Sequence, residues 1–134
     1  MRLDPSGRAF HWHYTTTLFG FALLATGERE RGLSVLDQAE EQVVDRLTQV
    51  DSWYPVWEMA SIHAVRGELE QAVEWAERAY ESFGYRFPTF VSIDPMFDGI
   101  RDDPRFRALI GKMESDVEQS RRRIELEEVA AGVR

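Results

Sequence analysis

The sequence contains no cysteine. A disulfide framework, a thiolate metal site and a cysteine nucleophile are excluded with it. Long apolar runs are missing as well: residues 18–25 form the longest, with Gly20 inside it, far short of a bilayer span. No basic-then-apolar secretory pattern opens the chain, so a cytoplasmic location is the expectation. Positive charge is scarce, with 16 Lys and Arg against 24 Asp and Glu and a formal net charge of −8. A nucleic-acid backbone needs a basic stripe, and only Arg121-Arg122-Arg123 clusters, embedded among glutamates as a solvated helix face would be. Glycines are scattered and form no phosphate-cradling loop. Neither nucleic acid nor membrane is an expected partner.

What the sequence does have is helical periodicity, broken by glycine at regular places. The 134 residues suffice for one domain with a modest core. The organising stretch is residues 53–84. Val56, Met59, Ala60 and His63 recur at helical spacing before Gly67; Leu69, Ala72, Val73, Ala76, Ala79, Tyr80 and Phe83 do so after it. A glycine between two such segments supplies the left-handed backbone that ends a helix. Gly27-Glu28-Arg29-Glu30-Arg31-Gly32 repeats the punctuation of Gly67-Glu68-Leu69-Glu70-Gln71-Ala72. Around it Phe19, Gly20 and Leu23 stand in the places of Met59, Ala60 and His63. Downstream, Gly32, Leu36 and Ala39 stand in those of Ala72, Ala76 and Ala79. Two helical hairpins are therefore expected, over residues 9–50 and 53–84.

In the first hairpin the pattern predicts a helix over residues 9–26, apolar on most faces. A second follows over residues 28–50, with Leu33, Leu36, Ala39, Val43, Leu47 and Val50 inward and Arg31, Asp37, Glu41 and Asp45 outward. Ser52 can cap the third helix, and Pro55 suits its first turn. Residues 85–102 read as a connector, packed by Phe87, Phe90 and Val91, with a short helix opened by Asp94-Pro95. Asp103-Pro104 opens a capping helix over residues 103–126, with Phe106, Leu109, Ile110, Met113 and Val117 inward and fraying expected from about residue 127.

The two units resemble a tetratricopeptide repeat. The family's Trp-x-x-Leu-Gly-x-x-Tyr…Ala-x-x-x-Phe…Ala-Pro pattern is met by Thr16-x-x-Phe19-Gly20-x-x-Leu23, Gly32-x-x-x-Leu36 and Ala39. It is met again by Val56-x-x-Met59-Ala60-x-x-His63, Ala72-x-x-x-Ala76 and Ala79. The first-position Trp and the final Pro are absent in both. The turn glycines lie forty residues apart, against a family period of about 34. Asp94-Pro95-Met96-Phe97 with Arg101-Asp102-Asp103-Pro104-Arg105-Phe106 is similar to the closing segment of repeat arrays in bacterial multidomain regulators. The resemblance implies an all-α fold of antiparallel hairpins stacked as a short right-handed solenoid with a C-terminal capping helix.

It also implies a non-enzymatic scaffold, the C-terminal part of a larger bacterial regulator, whose partner is a protein or peptide. The first helices of stacked hairpins line an inner surface. A binding groove of Trp12, Thr15, Phe19, Tyr54, Trp57, His63 and Arg66 is the expectation, with a core role for Trp57 as the competing one. The same aromatic-lined groove could instead take a small ligand, as in a sensor domain. Two units are fewer than stacking requires, so a second copy covering the first hairpin is expected too. If Leu18 or Phe21 lies outward, a charge there should shift the oligomeric state.

Candidate chemistry is thin. His11-Trp12-His13 would present two imidazoles together from a strand but not from a helix; read as the start of a helix, it argues against a metal. A hydrolytic or metal-dependent use of His11, His13 or His63 finds no serine, threonine or acid at catalytic spacing. His63 reads as a half-buried, hydrogen-bonded core histidine. No cofactor, metal or catalytic residue is expected.

Overall fold

The computed structural model describes residues 8–9, 13–50, 52–83, 91 and 93–133. Among the described residues the fold is all-helical apart from a two-residue antiparallel pairing of Arg8–Ala9 with His13–Tyr14. The α-helices are α1 (Thr15–Ala25), α2 (Arg29–Gln49), α3 (Trp53–Arg66), α4 (Leu69–Phe83) and α5 (Pro104–Ala130), with a 3₁₀ helix at Pro95–Ile100 before α5. Helix α1 packs on α2 and α3 on α4; α3 also meets α2 and the 3₁₀ helix.

The two tight turns are built alike. At the end of α1, Gly27 has φ 89°. Its N–H donates to the Leu24 carbonyl at 3.2 Å and that of Glu28 to Leu23 at 2.9 Å. At the end of α3, Gly67 has φ 79°. Its N–H donates to Ala64 at 3.1 Å and that of Glu68 to His63 at 2.9 Å. Each is a Schellman closure, which only glycine adopts without a Cβ penalty.

The helix pairs solve the same close approach with different side chains. A Cβ on Gly20 would lie 2.7 Å from Leu36 Cγ, and one on Gly32 would lie 2.8 Å from Leu24 Cδ2. Glycine thus faces leucine twice. Forty residues on, the four places hold Ala60, Ala76, Ala72 and Ala64, all buried in the main core. At both positions a Gly–Leu pair in the first hairpin corresponds to two small alanines in the second.

Three expectations need correcting. Helix α1 starts at Thr15, not near residue 9, because the backbone of residues 13–14 is extended. The amide of Tyr14 donates to Oε1 of Glu58, a fully buried glutamate of α3, at 3.1 Å. That bond fixes where α1 begins. Val50 ends outside α2, extended and 41% exposed, rather than on its inward stripe. Helix α5 does not fray from residue 127: it runs to Ala130 and closes on Gly132 (φ 77°), with the Val133 amide on the Glu128 carbonyl at 2.9 Å.

The core is centred on α3, which is buried without a break from residue 55 to residue 64. Trp57, Phe97 and Phe106 form a column linking α3, the 3₁₀ helix and α5. The ring centroids are 5.4 Å apart for Trp57–Phe97 and 5.6 Å for Phe97–Phe106. Capping positions the last two elements. Asp94 accepts from the Met96 amide at 3.0 Å, and Asp103 accepts from those of Arg105 and Phe106 at 2.9 and 3.1 Å. Arg101 ties the connector down by donating to the carbonyls of Val91 and Asp94. Val91 is fully buried; Phe87 and Phe90 lie outside the described residues. Among the described residues, no helix is long and apolar enough to cross a membrane.

Helix α5 seals the far side through Phe106, Leu109 and Met113, and the Tyr80 hydroxyl of α4 donates to Asp116. Burial and then the Asp116 carboxylate push the Tyr80 phenol from 10.0 up to about 12. The folded state therefore holds the phenol neutral to higher pH than the unfolded chain does. The stabilisation is whole below pH 10.0 and is lost as pH climbs through about 12. Urea midpoints taken on either side of pH 10.0 should fall with alkalinity in the wild type, and this component should vanish in Tyr80→Phe.

Candidate functional site: an acidic face beside a half-buried ion cluster

The residues expected to share one groove separate in the structure. Trp57 is 4% exposed and packed on Phe97, so it is a core residue and lines no surface. Thr15 is half-buried at the first turn of α1. Tyr54 stacks on Tyr14 at 5.6 Å, and Phe19 is 36% exposed with the Arg31 guanidinium 5.4 Å above its ring. Trp12 and His11 lie outside the described residues, as does the side chain of His13. The backbone of His13 is extended, where the start of a helix was expected. Helix α3, expected to line the groove, is buried from residue 55 to residue 64. Leu18 and Phe21 are corrected as well: both are half-buried against the main core. A charge at either would test packing rather than association.

His63 and Arg66 come together. They occupy the last turn of α3, and both turn to carboxylates. Arg66 Nη2 lies 2.6 Å from Asp37 Oδ1, and Nη1 lies 2.8 Å from Glu40 Oε2 and 3.5 Å from Glu68 Oε1. His63 Nδ1 is 3.3 Å from Glu68 Oε1, and Nε2 is 4.0 Å from Glu40 Oε1. Burial opposes the Arg66 charge, but Glu40, Asp37 and Glu68 more than offset it and hold the guanidinium above its ordinary range. With only 10% of its side chain exposed, Arg66 crosses from the second helix pair to the first and fastens α3 to α2.

Beside this cluster α2 carries an open acidic face made of Asp37, Glu40, Glu41, Val44, Asp45 and Thr48. Arg66 neutralises its upper end. Asp45 accepts from Gln49 Nε2 at 3.0 Å, whereas Glu41 has no ion-pair partner among the described residues. Val44, 46% exposed, gives the face an apolar centre.

No protein-family model, curated protein or solved structure matches this chain.

The chemistry open to the site is ionic. Among the described residues no group of three or more metal-ligating side chains converges. The His63 ring lies beside the carboxylates of Glu68 and Glu40. Asp37, Glu41 and Asp45, four residues apart on the predicted outward face of α2, were legible in the sequence. That Arg66 reaches Asp37 was not, because nothing in local spacing sets the rotation between α2 and α3.

Replacing Arg66 with Met should lower stability by about 1–2 kcal/mol, since the half-exposed Glu40 and Glu68 lose their counter-charge while solvent screens part of the loss. Urea titration checks this. A loss under about half a kcal/mol would mean that solvent screens the cluster.

Proposed function

We propose that this chain is a non-enzymatic interaction module: a short tetratricopeptide-like stack of two helical hairpins with α5 as its end cap, binding a polypeptide rich in Lys and Arg. The observation that carries the scaffold reading is the duplicated turn, hydrogen bond for hydrogen bond, with glycine–leucine and alanine–alanine pairs exchanged at matching places. Repeated hairpins are recognition scaffolds whose shared surface does the binding. With α3 enclosed, the outer face of α2 is the surface we assign to the partner, and its acidic lining favours positive charge. Exposed Val44 adds apolar contact at the centre, and Glu41 and Asp45 supply the charge.

Anisotropy of a labelled Lys- and Arg-rich peptide tests the reading. Binding should weaken as salt rises, and Glu41→Lys with Asp45→Lys should weaken it at least about tenfold. Absence of binding at low salt, or equal binding by the double variant, would refute the assignment of this face.

A further inference from the structure

Met113 is the last buried residue of α5, yet the helix continues to Ala130. The continuation is about 25 Å long and runs on past the last fully buried side chain. A segment of that length is only a little longer than the shortest helices that hold on their own in water. Its local support is ionic: Arg121 reaches Glu118 and Glu125 at 2.7 and 2.6 Å, and Arg122 reaches Glu118 at 3.0 Å.

On its inner flank α5 diverges from α4 and leaves a cleft of about 720 Å³, with Tyr80 and Glu81 on one wall and Lys112, Asp116, Gln119 and Arg123 on the other. Those four α5 residues are spaced four, three and four apart. The alternation continues with Leu126 and Ala130, so one seam runs from the cleft along the C-terminal part of the helix. Its first part is polar and its last part apolar. Leu126 is 70% exposed and its neighbour Val129 58%. Lys112 lies 5.6 Å above the Tyr80 ring, and neither Lys112 nor Arg123 has an ion-pair partner among the described residues.

We propose that this seam is the contact between two copies of the chain, with their α5 helices antiparallel. The occupant follows from self-complementarity, which a two-fold axis requires. Antiparallel pairing centred near residue 121 sets Lys112 against Ala130 of the other copy, Asp116 against Leu126 and Gln119 against Arg123. The apolar end of each helix then enters the other's cleft, over the Tyr80 ring and the aliphatic stem of Lys112. The charges agree: Lys112 comes within a turn of Glu127 of the other copy, and Arg123 comes next to Glu118. Parallel pairing would bury Lys112 against Lys112 and leave both apolar ends outside the clefts.

The absence of native cysteine makes the test clean. Light scattering of the whole chain should give twice its 15.6 kDa, and Leu126→Glu should weaken the dimer at least about tenfold with helical circular dichroism unchanged. Lys112→Cys and Ala130→Cys should cross-link on oxidation when the two variants are mixed and not when either is alone. A monomer at all concentrations, self-cross-linking of either variant alone, or no cross-link in the mixture would each overturn the proposal. A monomer would also leave the face to a different polypeptide. Glu41→Lys with Asp45→Lys should leave the dimer intact, so failure of the peptide-binding reading and failure of this one are separable.

Discussion

Gly20→Ala and Leu36→Ala should each destabilise the protein, and together they should cost less than the sum. The added methyl at Gly20 meets Leu36 Cγ at 2.7 Å, and Leu36 is fully buried with nowhere to turn. Overpacking of that kind costs about 1–3 kcal/mol, against a gain of about 1 kcal/mol in helix propensity. Leu36→Ala alone leaves a cavity and costs about 2–5 kcal/mol. The double variant rebuilds the Ala60–Ala76 arrangement of the second hairpin, so the coupling should be favourable by about 0.5–3 kcal/mol. Denaturant titration of the four proteins measures it. Simple additivity would show that the two hairpins are not equivalent at this contact.

Phe97→Ala should have the other large effect, a loss of about 3–5 kcal/mol. Phe97 is fully buried between Trp57 and Phe106 and is the middle ring of the column that fastens α5 to α3. Hydrogen exchange should speed up first at the amides around Phe106–Met113, before those of α1 and α2. Uniform loss of protection would mean that α5 and the first hairpin come apart together.

The sequence made the turns and caps readable, because each rests on a few neighbouring residues. Gly27, Gly67, Asp94-Pro95 and Asp103-Pro104 announce backbone conformations that their own chemistry dictates. Helices α2 and α4 were readable from one-sided apolar stripes. Helix α3 was readable as a helix from its cap and its glycine stop, but its enclosure was not, since Glu58, Ser61 and His63 give it the look of a half-exposed helix. Each is in fact buried with its polar atoms engaged: Glu58 on the Tyr14 amide, Ser61 on the Trp57 carbonyl, His63 beside Glu68. Polar residues that are satisfied inside the protein are indistinguishable in sequence from polar residues facing water. The same limit hid the candidate site. The acids of α2 were visible, but their meeting with Arg66 is long-range. The reach of α5 to Ala130 depended on Glu118, Arg121, Arg122 and Glu125, whose pairing sustains a helix where the apolar stripe has thinned. Arg121 and Arg122 correspondingly hold the Glu118 carboxyl below its ordinary range.

An open array can lose a terminal unit and leave the rest standing. Helix α3 denies this chain that modularity, since it is wrapped by segments that both precede and follow it in the sequence. Deleting the first pair or the last helix would strip apolar surface from the same enclosed helix. Heat and urea should accordingly melt the molecule in a single transition, and limited proteolysis should yield intact protein or small peptides, with no stable half in between.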